Sequence, residues 1–282
     1  MNTAKKKRLT VLEIVGLVFT YLILILVAAM VLLPVVYILT MAFNADKSLY
    51  IDTLFPTRYS FSAFKRLFTQ TNYLTWYGNT LIVGAMNAFF EIMLVLPTSY
   101  ALSRLRFKGR KQYLMVFLVL QMFPGTMSMV AYYVLLNMLG LLDTYFGLVV
   151  IFSCTAIPGS TYMMKGYFDT IPMSLEESAM LDGANRWQCV TKILLPLAKP
   201  MVGLIGLFGF SAPFGDYMLS KILITNPNRF TLALGTYQGI FSQSTTDYAM
   251  FAAAAILSSL PMVIIYMSLQ KVIIEGLSGA TK

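Results

Sequence analysis

Residues 171–200 read IPMSLEESAMLDGANRWQCVTKILLPLAKP. This polar, helix-forming stretch interrupts two long apolar runs, and its local chemistry can be parsed residue by residue. Pro172 suits the first turn of a helix. Ser174 with Glu177 three residues on matches a capping box and predicts a helix start. Leu175, Ala179 and Asp182 then fall on one face. Gly183 stops the helix, because glycine adopts the left-handed conformation that ends one. Asn185 suits the cap of a second helix carrying Trp187, Val190 and Ile193. Pro196 and Pro200 break the chain after it. The prediction is a short helix, a glycine bend and another short helix. Small residues at Ser178, Ala179, Gly183 and Ala184 leave room for a second protein surface, and such a pair suits insertion into a groove.

Outward from this stretch the chain turns apolar. Of its 282 residues 58% are hydrophobic and only 12% charged, with a mean hydropathy of +0.72. A soluble domain carries about a quarter charged residues, so composition predicts a membrane protein. A spanning helix needs about 20 mostly apolar residues. Six runs qualify, near Val11–Ala42, Tyr77–Leu102, Tyr113–Met138, Tyr145–Tyr167, Met201–Ile224 and Tyr248–Ile274. Runs this long read as helices; barrel strands are shorter and alternate. The fold class is therefore all-α and polytopic, with six transmembrane helices in a single domain over residues 1–282.

Lys and Arg placement orients the spans. With the N-terminus inside, the cytoplasmic side collects Lys5, Lys6, Lys7, Arg8, Arg104, Arg106, Lys108, Arg110, Lys111, Lys165, Arg186, Lys192, Lys199, Lys271 and Lys282. That is fifteen of the 21; Lys47, Arg58, Lys65, Arg66, Lys221 and Arg229 fall outside. Both termini are predicted cytoplasmic, and residues 169–200 form the one long cytoplasmic connection. The net charge of +9 is explained by topology and membrane lipid rather than by nucleic acid. Tyr50, Tyr73, Trp76, Tyr77, Tyr145 and Tyr248 cluster near predicted interfaces as an aromatic belt. The basic start followed by Val11–Phe43 imitates a signal peptide, but the run exceeds an h-region of about 7–15 residues. It reads as a retained anchor.

Cys154 and Cys189 read as free thiols, with no metal site. There is no histidine, which removes the commonest general base and metal ligand. An intramembrane enzyme would need a nucleophile–base pair or a metal cluster, and none is legible. An ion-coupled carrier would show repeats and several intramembrane charges, and no internal repeat is visible.

The stretch resembles the EAA motif of binding-protein-dependent ABC importer permeases. Glu177, Ala179, Asp182, Gly183, Ala184, Ile193, Leu195, Pro196, Leu197 and Pro200 match at the motif's spacing, and Ser178 replaces its first alanine. Val190 stands where the family often has Phe. The six-span layout, the Tyr100–Arg104 into Arg106–Gly109 junction and Asn79-Thr80-Leu81 resemble the carbohydrate (maltose-type) branch. Phe214-Gly215-Asp216-Tyr217 resembles malto-oligosaccharide members. The resemblance implies the type I ABC importer permease fold in the cytoplasmic membrane of a prokaryote. It implies a coupling helix, with Glu177, Ser178, Ala179, Asp182, Gly183, Ala184, Ile193, Leu195 and Pro196 contacting a separate ATPase dimer. ATP and Mg would be used there, with no cofactor bound by this chain. A second, different permease chain and an extracytoplasmic solute-binding protein complete the implied assembly. Amino acids, polyamines or phosphate remain alternative cargoes.

Each singled-out residue has a plainer reading. Glu177 is also the capping partner of Ser174. Arg104–Lys111 is either a topology-setting loop or a contact for the ATPase or anionic lipid. Glu91 and Asp216 lie in predicted spans, where ionisable groups are costly. Glu91 and Asp216 either line a substrate path with Phe214 and Tyr217 or make structural hydrogen bonds. Pro97, Pro124, Pro158 and Pro213 mark kinks or hinges.

Overall fold

The computed structural model describes residues 11–45, 55–56, 58–242 and 246–279. Lys5–Arg8, Lys47, Tyr50 and Lys282 of the charge and aromatic-belt reading lie outside the described residues. Among the described residues the fold is helical, with one isolated antiparallel bridge, Asn44–Tyr59. The chain divides into two compact units, Met1–Leu67 with Thr246–Ile256, and Phe68–Thr245 with Leu257–Lys282.

In the first unit, α1 (Val11–Ala42) is a continuous 32-residue apolar helix. None of its spanning window is buried, as a helix facing hydrocarbon requires. Helix α2 begins at Ser62 and runs to Gln70. Phe43, Phe61 and Phe64 pack edge-on or tilted, with centroids 5.3 to 6.2 Å apart. Arg66 grips Asp247 through Nε at 2.8 Å and Nη2 at 3.2 Å. Asp247 also accepts the Met250 N–H at 3.0 Å, capping the final helix (Tyr248–Gly279).

The second unit is built on α3 (Tyr73–Arg104), α6 (Tyr145–Thr170) and α10 (Lys199–Gly215), which pack together. One apolar cluster holds Val83, Leu148, Ile151 and Phe152; another holds Val95, Met164, Phe168, Ile171, Leu194 and Ile205. The backbones come close: a Cβ on Gly209 would lie 2.5 Å from Glu91 Oε2 and 3.0 Å from Ala88 Cα. Small residues permit such approach in membrane bundles, where apolar burial no longer separates helix from lipid. Polar side chains then bond across the contact. Asn87 Nδ2 donates to Gly209 O at 2.7 Å, and Ser153 Oγ donates to Asn87 Oδ1 at 2.8 Å.

Two predicted spans are not continuous. The run Tyr113–Met138 is α4 (Arg110–Met122) and α5 (Met129–Met138). Pro124 forces Phe123 into an extended conformation (φ −76°, ψ 123°), so α4 ends there. The run Met201–Ile224 likewise divides into α10 and α11 (Met218–Leu223), with Asp216 extended at the break. Pro97 and Pro158, by contrast, lie inside unbroken helices. Among the described residues four helices are long and apolar enough to cross a membrane, and a bent pair, Arg186–Leu197 with Lys199–Gly215, supplies a fifth candidate.

The connection after α11 is pinned to α3 by residues of the Asn79-Thr80 pair. Asn79 Nδ2 donates to the carbonyls of Asn228 and Phe230 at 2.9 and 3.0 Å, and Thr80 Oγ1 accepts the Leu232 N–H at 2.6 Å. Tyr145 OH donates to Asn79 Oδ1 at 2.8 Å, adding α6 to the same junction.

Candidate functional site

The site begins where α6 ends. Helix α7 (Ser174–Leu181) starts without a side-chain cap. The expected Ser174–Glu177 capping box does not form, because Met173 already has helical angles (φ −65°, ψ −26°). A capping side chain needs an extended residue at the boundary. Backbone bonds close the first turn instead: Glu176 and Glu177 N–H both reach Met173 O, at 3.0 and 3.1 Å. The box forms one helix later. Asn185 is extended (φ −80°, ψ 166°) and its Oδ1 accepts the Gln188 N–H at 2.9 Å, while Gln188 Oε1 accepts the Asn185 N–H at 2.8 Å. It opens α8 (Arg186–Cys189).

Gly183 makes the elbow between them. Its φ is +89°, the left-handed region. The Ala184 N–H reaches Ala179 O at 2.9 Å and the Gly183 N–H reaches Met180 O at 3.1 Å. That is the Schellman pattern, which satisfies carbonyls left over at a helix end. After α8 the backbone widens into a π turn, Val190–Leu194, where Leu195 N–H bonds Val190 O, and a single turn, α9 (Leu195–Leu197), follows. Pro196 explains the widening: it has no N–H for an i−4 partner, and its ring would press on the Lys192 carbonyl. The segment bends by 79° into α10.

The two sides of the segment differ. Glu176 is buried, at 4% exposure, while its neighbour Glu177 is exposed. Leu181, four residues beyond Glu177 on the same face, is 89% exposed, and Trp187 across the elbow is 73% exposed. Ser178, Asp182 and Gly183 are exposed beside them; Ala179 and Ala184 are half-buried. Further on, Ile193 and Leu195 are half-buried and Pro196 exposed. Leu194 and Ala198 face inward, packed with Val95, Met164, Phe168 and Ile205. Residues 174–188 therefore present an outer surface, and residues 190–198 anchor it to the bundle.

Three features of this site escaped the sequence reading. Arg104 pairs with Glu176, both side chains nearly enclosed. Gln188 completes the cap of α8. Cys189 is buried with its Sγ 3.9 Å from Glu176 O. The Glu-Glu doublet gave no sign of which carboxylate turns inward; only the tertiary position of Arg104 decides that.

The residues expected on a substrate path separate. Glu91, on α3 and facing α6 and α10, is 1% exposed; Ser160 Oγ donates to its Oε1, and among the described residues its Oε2 has no hydrogen-bond partner. Asp216 Oδ1 accepts the Ser220 N–H at 3.0 Å and so holds the start of α11. Phe214 packs on Phe210 at 5.4 Å between centroids. Tyr217 belongs to a different group, an aromatic strip. Its ring lies 4.3 Å from that of Tyr237, which lies 5.2 Å from that of Phe241. Lys221 Nζ sits 5.3 Å over the Tyr217 ring. Tyr237 and Phe241 are 38% and 37% exposed. They lie on a π turn, Tyr237–Phe241, whose apolar spacing was hidden inside a polar connection.

Residues 10–279 match the family described as binding-protein-dependent transport system inner membrane component. The maltodextrin transport system permease protein MdxG of Bacillus subtilis (strain 168) is 40% identical over 93% of this chain and 95% of its own. The galactooligosaccharides transport system permease protein GanQ of the same organism is 36% identical over 95% and 96%. Among solved structures, a chain of a bacterial ABC transporter involved in the import of the acidic polysaccharide alginate superposes with a TM-score of 0.77. It is 25% identical over 96% of this chain and 99% of its own. A match over nearly the whole length, on a helical frame of long apolar spans, leaves one assignment: this chain belongs to the binding-protein-dependent transport system inner membrane components and is an ABC transporter permease subunit.

Proposed function

We propose that this subunit imports an oligosaccharide, with residues 174–188 docking an ATPase subunit and residues 190–198 acting as the lever into α10. The observation that carries the docking reading is the uncovered apolar pair Leu181 and Trp187 flanking the Gly183 elbow, with Glu177 on the same side. Large apolar side chains this exposed on the polar side of a membrane protein mark a protein interface. Glu177, Ser178, Ala179, Asp182, Gly183 and Ala184 form its floor; Ile193, Leu195 and Pro196 belong to the lever. ATP and Mg act in the partner, and this chain hydrolyses nothing. Both termini lie in the cytoplasm, the partner permease is a different chain, and a solute-binding protein delivers cargo from outside.

The sugar reading is supported by the names of the relatives and by the Tyr217–Tyr237–Phe241 strip with Lys221. Aromatic faces suit the apolar faces of sugar rings, and an ammonium suits their hydroxyls. Phe214 and Asp216 then shape the break beside this strip. The test is uptake into vesicles holding both permeases and the ATPase, with binding protein outside. Oligosaccharide accumulation should require ATP inside the vesicle; accumulation without it overturns the proposal. Tyr237→Ala should lower uptake at limiting sugar while Tyr237→Phe retains it. Equal behaviour of the two would remove the strip from the path.

A further inference from the structure

Arg104 ends α3 and stands where three elements meet. Its Nε donates to Glu176 Oε1 in α7, and its Nη2 donates at 2.9 Å to Ile171 O, the carbonyl that caps α6. The two side chains are 7% and 5% exposed. The neighbouring Ser103 Oγ donates at 2.6 Å to Asp169 Oδ1 near the end of α6. A single guanidinium thus ties the docking helix to the ends of α3 and α6.

We propose that the Arg104–Glu176 pair is the strut that carries displacement of the docking loop into α3. It rests on the docking reading above. First, separating the pair leaves two charges in an enclosed site without compensation, so the pair stays closed while the loop moves. Second, the planar guanidinium bonds in two fixed directions, to Glu176 and to Ile171 O, and so fixes orientation as well as distance; a lysine offers only a point charge. Third, α3 packs against both α6 and α10, so motion of its Arg104 end is passed to these two helices. Glu176 serves here because it turns away from the docking face. The outer surface of Glu177, Leu181 and Trp187 is left to the ATPase, while the inner surface is locked to the membrane domain.

The strut predicts a loss of coupling with docking intact. The assay uses the complete transporter in proteoliposomes, reading three quantities: ATPase subunit retained, hydrolysis stimulated by sugar-loaded binding protein, and sugar moved per ATP. Glu176→Gln keeps shape and an acceptor oxygen but removes the ion pair, leaving the enclosed Arg104 guanidinium without a countercharge, so transport per ATP should fall about fivefold. Arg104→Lys should act in the same direction. The exchange Arg104→Glu with Glu176→Arg should recover part of the lost ratio, which a residue needed only for folding would not do. An unchanged ratio in both single variants overturns the strut. So does loss of the ATPase subunit from the Glu176→Gln complex, since the pair would then merely hold the docking face together. Failure of the docking reading shows separately, as ATPase retained by a Leu181→Asp, Trp187→Asp variant.

Discussion

Replacing Gly183 by alanine tests whether the elbow acts through its backbone. At φ +89° an L-residue crowds its own carbonyl, at a cost of about 1–2 kcal/mol. Among the described residues no heavy atom beyond the adjoining residues lies within 4 Å of the position a Cβ would take, so no clash with them adds to this. Alanine also stiffens the unfolded chain, which offsets about 0.4–1 kcal/mol. The balance is about 1 kcal/mol against the formed elbow, and with about 1.4 kcal/mol per tenfold this is about fivefold in its population. Binding of the ATPase subunit should weaken by that factor, read by titrating it against the permease in nanodiscs. Asparagine enters the left-handed region more readily, so Gly183→Asn should lose distinctly less. Hydrogen exchange should show the Gly183 and Ala184 amides losing protection in the alanine variant, since both bond back to α7. Equal losses for Ala and Asn would refute the argument, because they would locate the effect in contact with the partner rather than in backbone conformation.

Other perturbations read other parts of the chain. Trp187→Ala should weaken ATPase binding without lowering the thermal stability of the isolated permease, since the side chain is largely uncovered; a fall in melting temperature would contradict that. Gly209→Ala should destabilise the bundle by about 1–3 kcal/mol, because its Cβ would meet Glu91 and the α3 backbone. Thermal unfolding in detergent measures it, and a silent substitution would mean the helices are less close than described. Asn87→Ala removes the partner of Ser153 and of Gly209 O, with an expected loss of about 1–3 kcal/mol in the same assay. Asn87→Ser should lose less if a shorter hydroxyl still reaches one of the two.

What was legible in the sequence was whatever local chemistry settles alone. Gly183 was readable as a stop because a left-handed cap depends on one residue, and Asn185 as a cap because its side chain reaches its own neighbours. Ser174 misled for the same reason: its motif was present, but Met173 had already entered the helix and no extended residue was left to cap from. Long apolar runs gave α1, α3 and α6. Hydropathy could not divide the third and fifth runs, since Phe123-Pro124-Gly125 and Gly215-Asp216-Tyr217 interrupt backbone geometry without interrupting apolarity for long. The Arg104–Glu176 pair was out of reach in principle, joining residues 72 positions apart.

The Asp216 break also recasts the choice between structure and path for that residue. Irregular backbone at membrane depth leaves peptide groups without partners, and it persists only where protein or a water-filled cavity supplies them. Asp216 supplies one, accepting from the Ser220 N–H and lying 3.4 Å from its hydroxyl. Had α10 simply continued, no carboxylate would be needed there. The carboxylate satisfies a backbone group at the start of α11 just beyond the turn, and the turn places Tyr217 beside Tyr237 rather than along α10 with Phe214. Asp216 thus has a structural role at the bend, and contact with sugar is unnecessary to explain why an acid stands there.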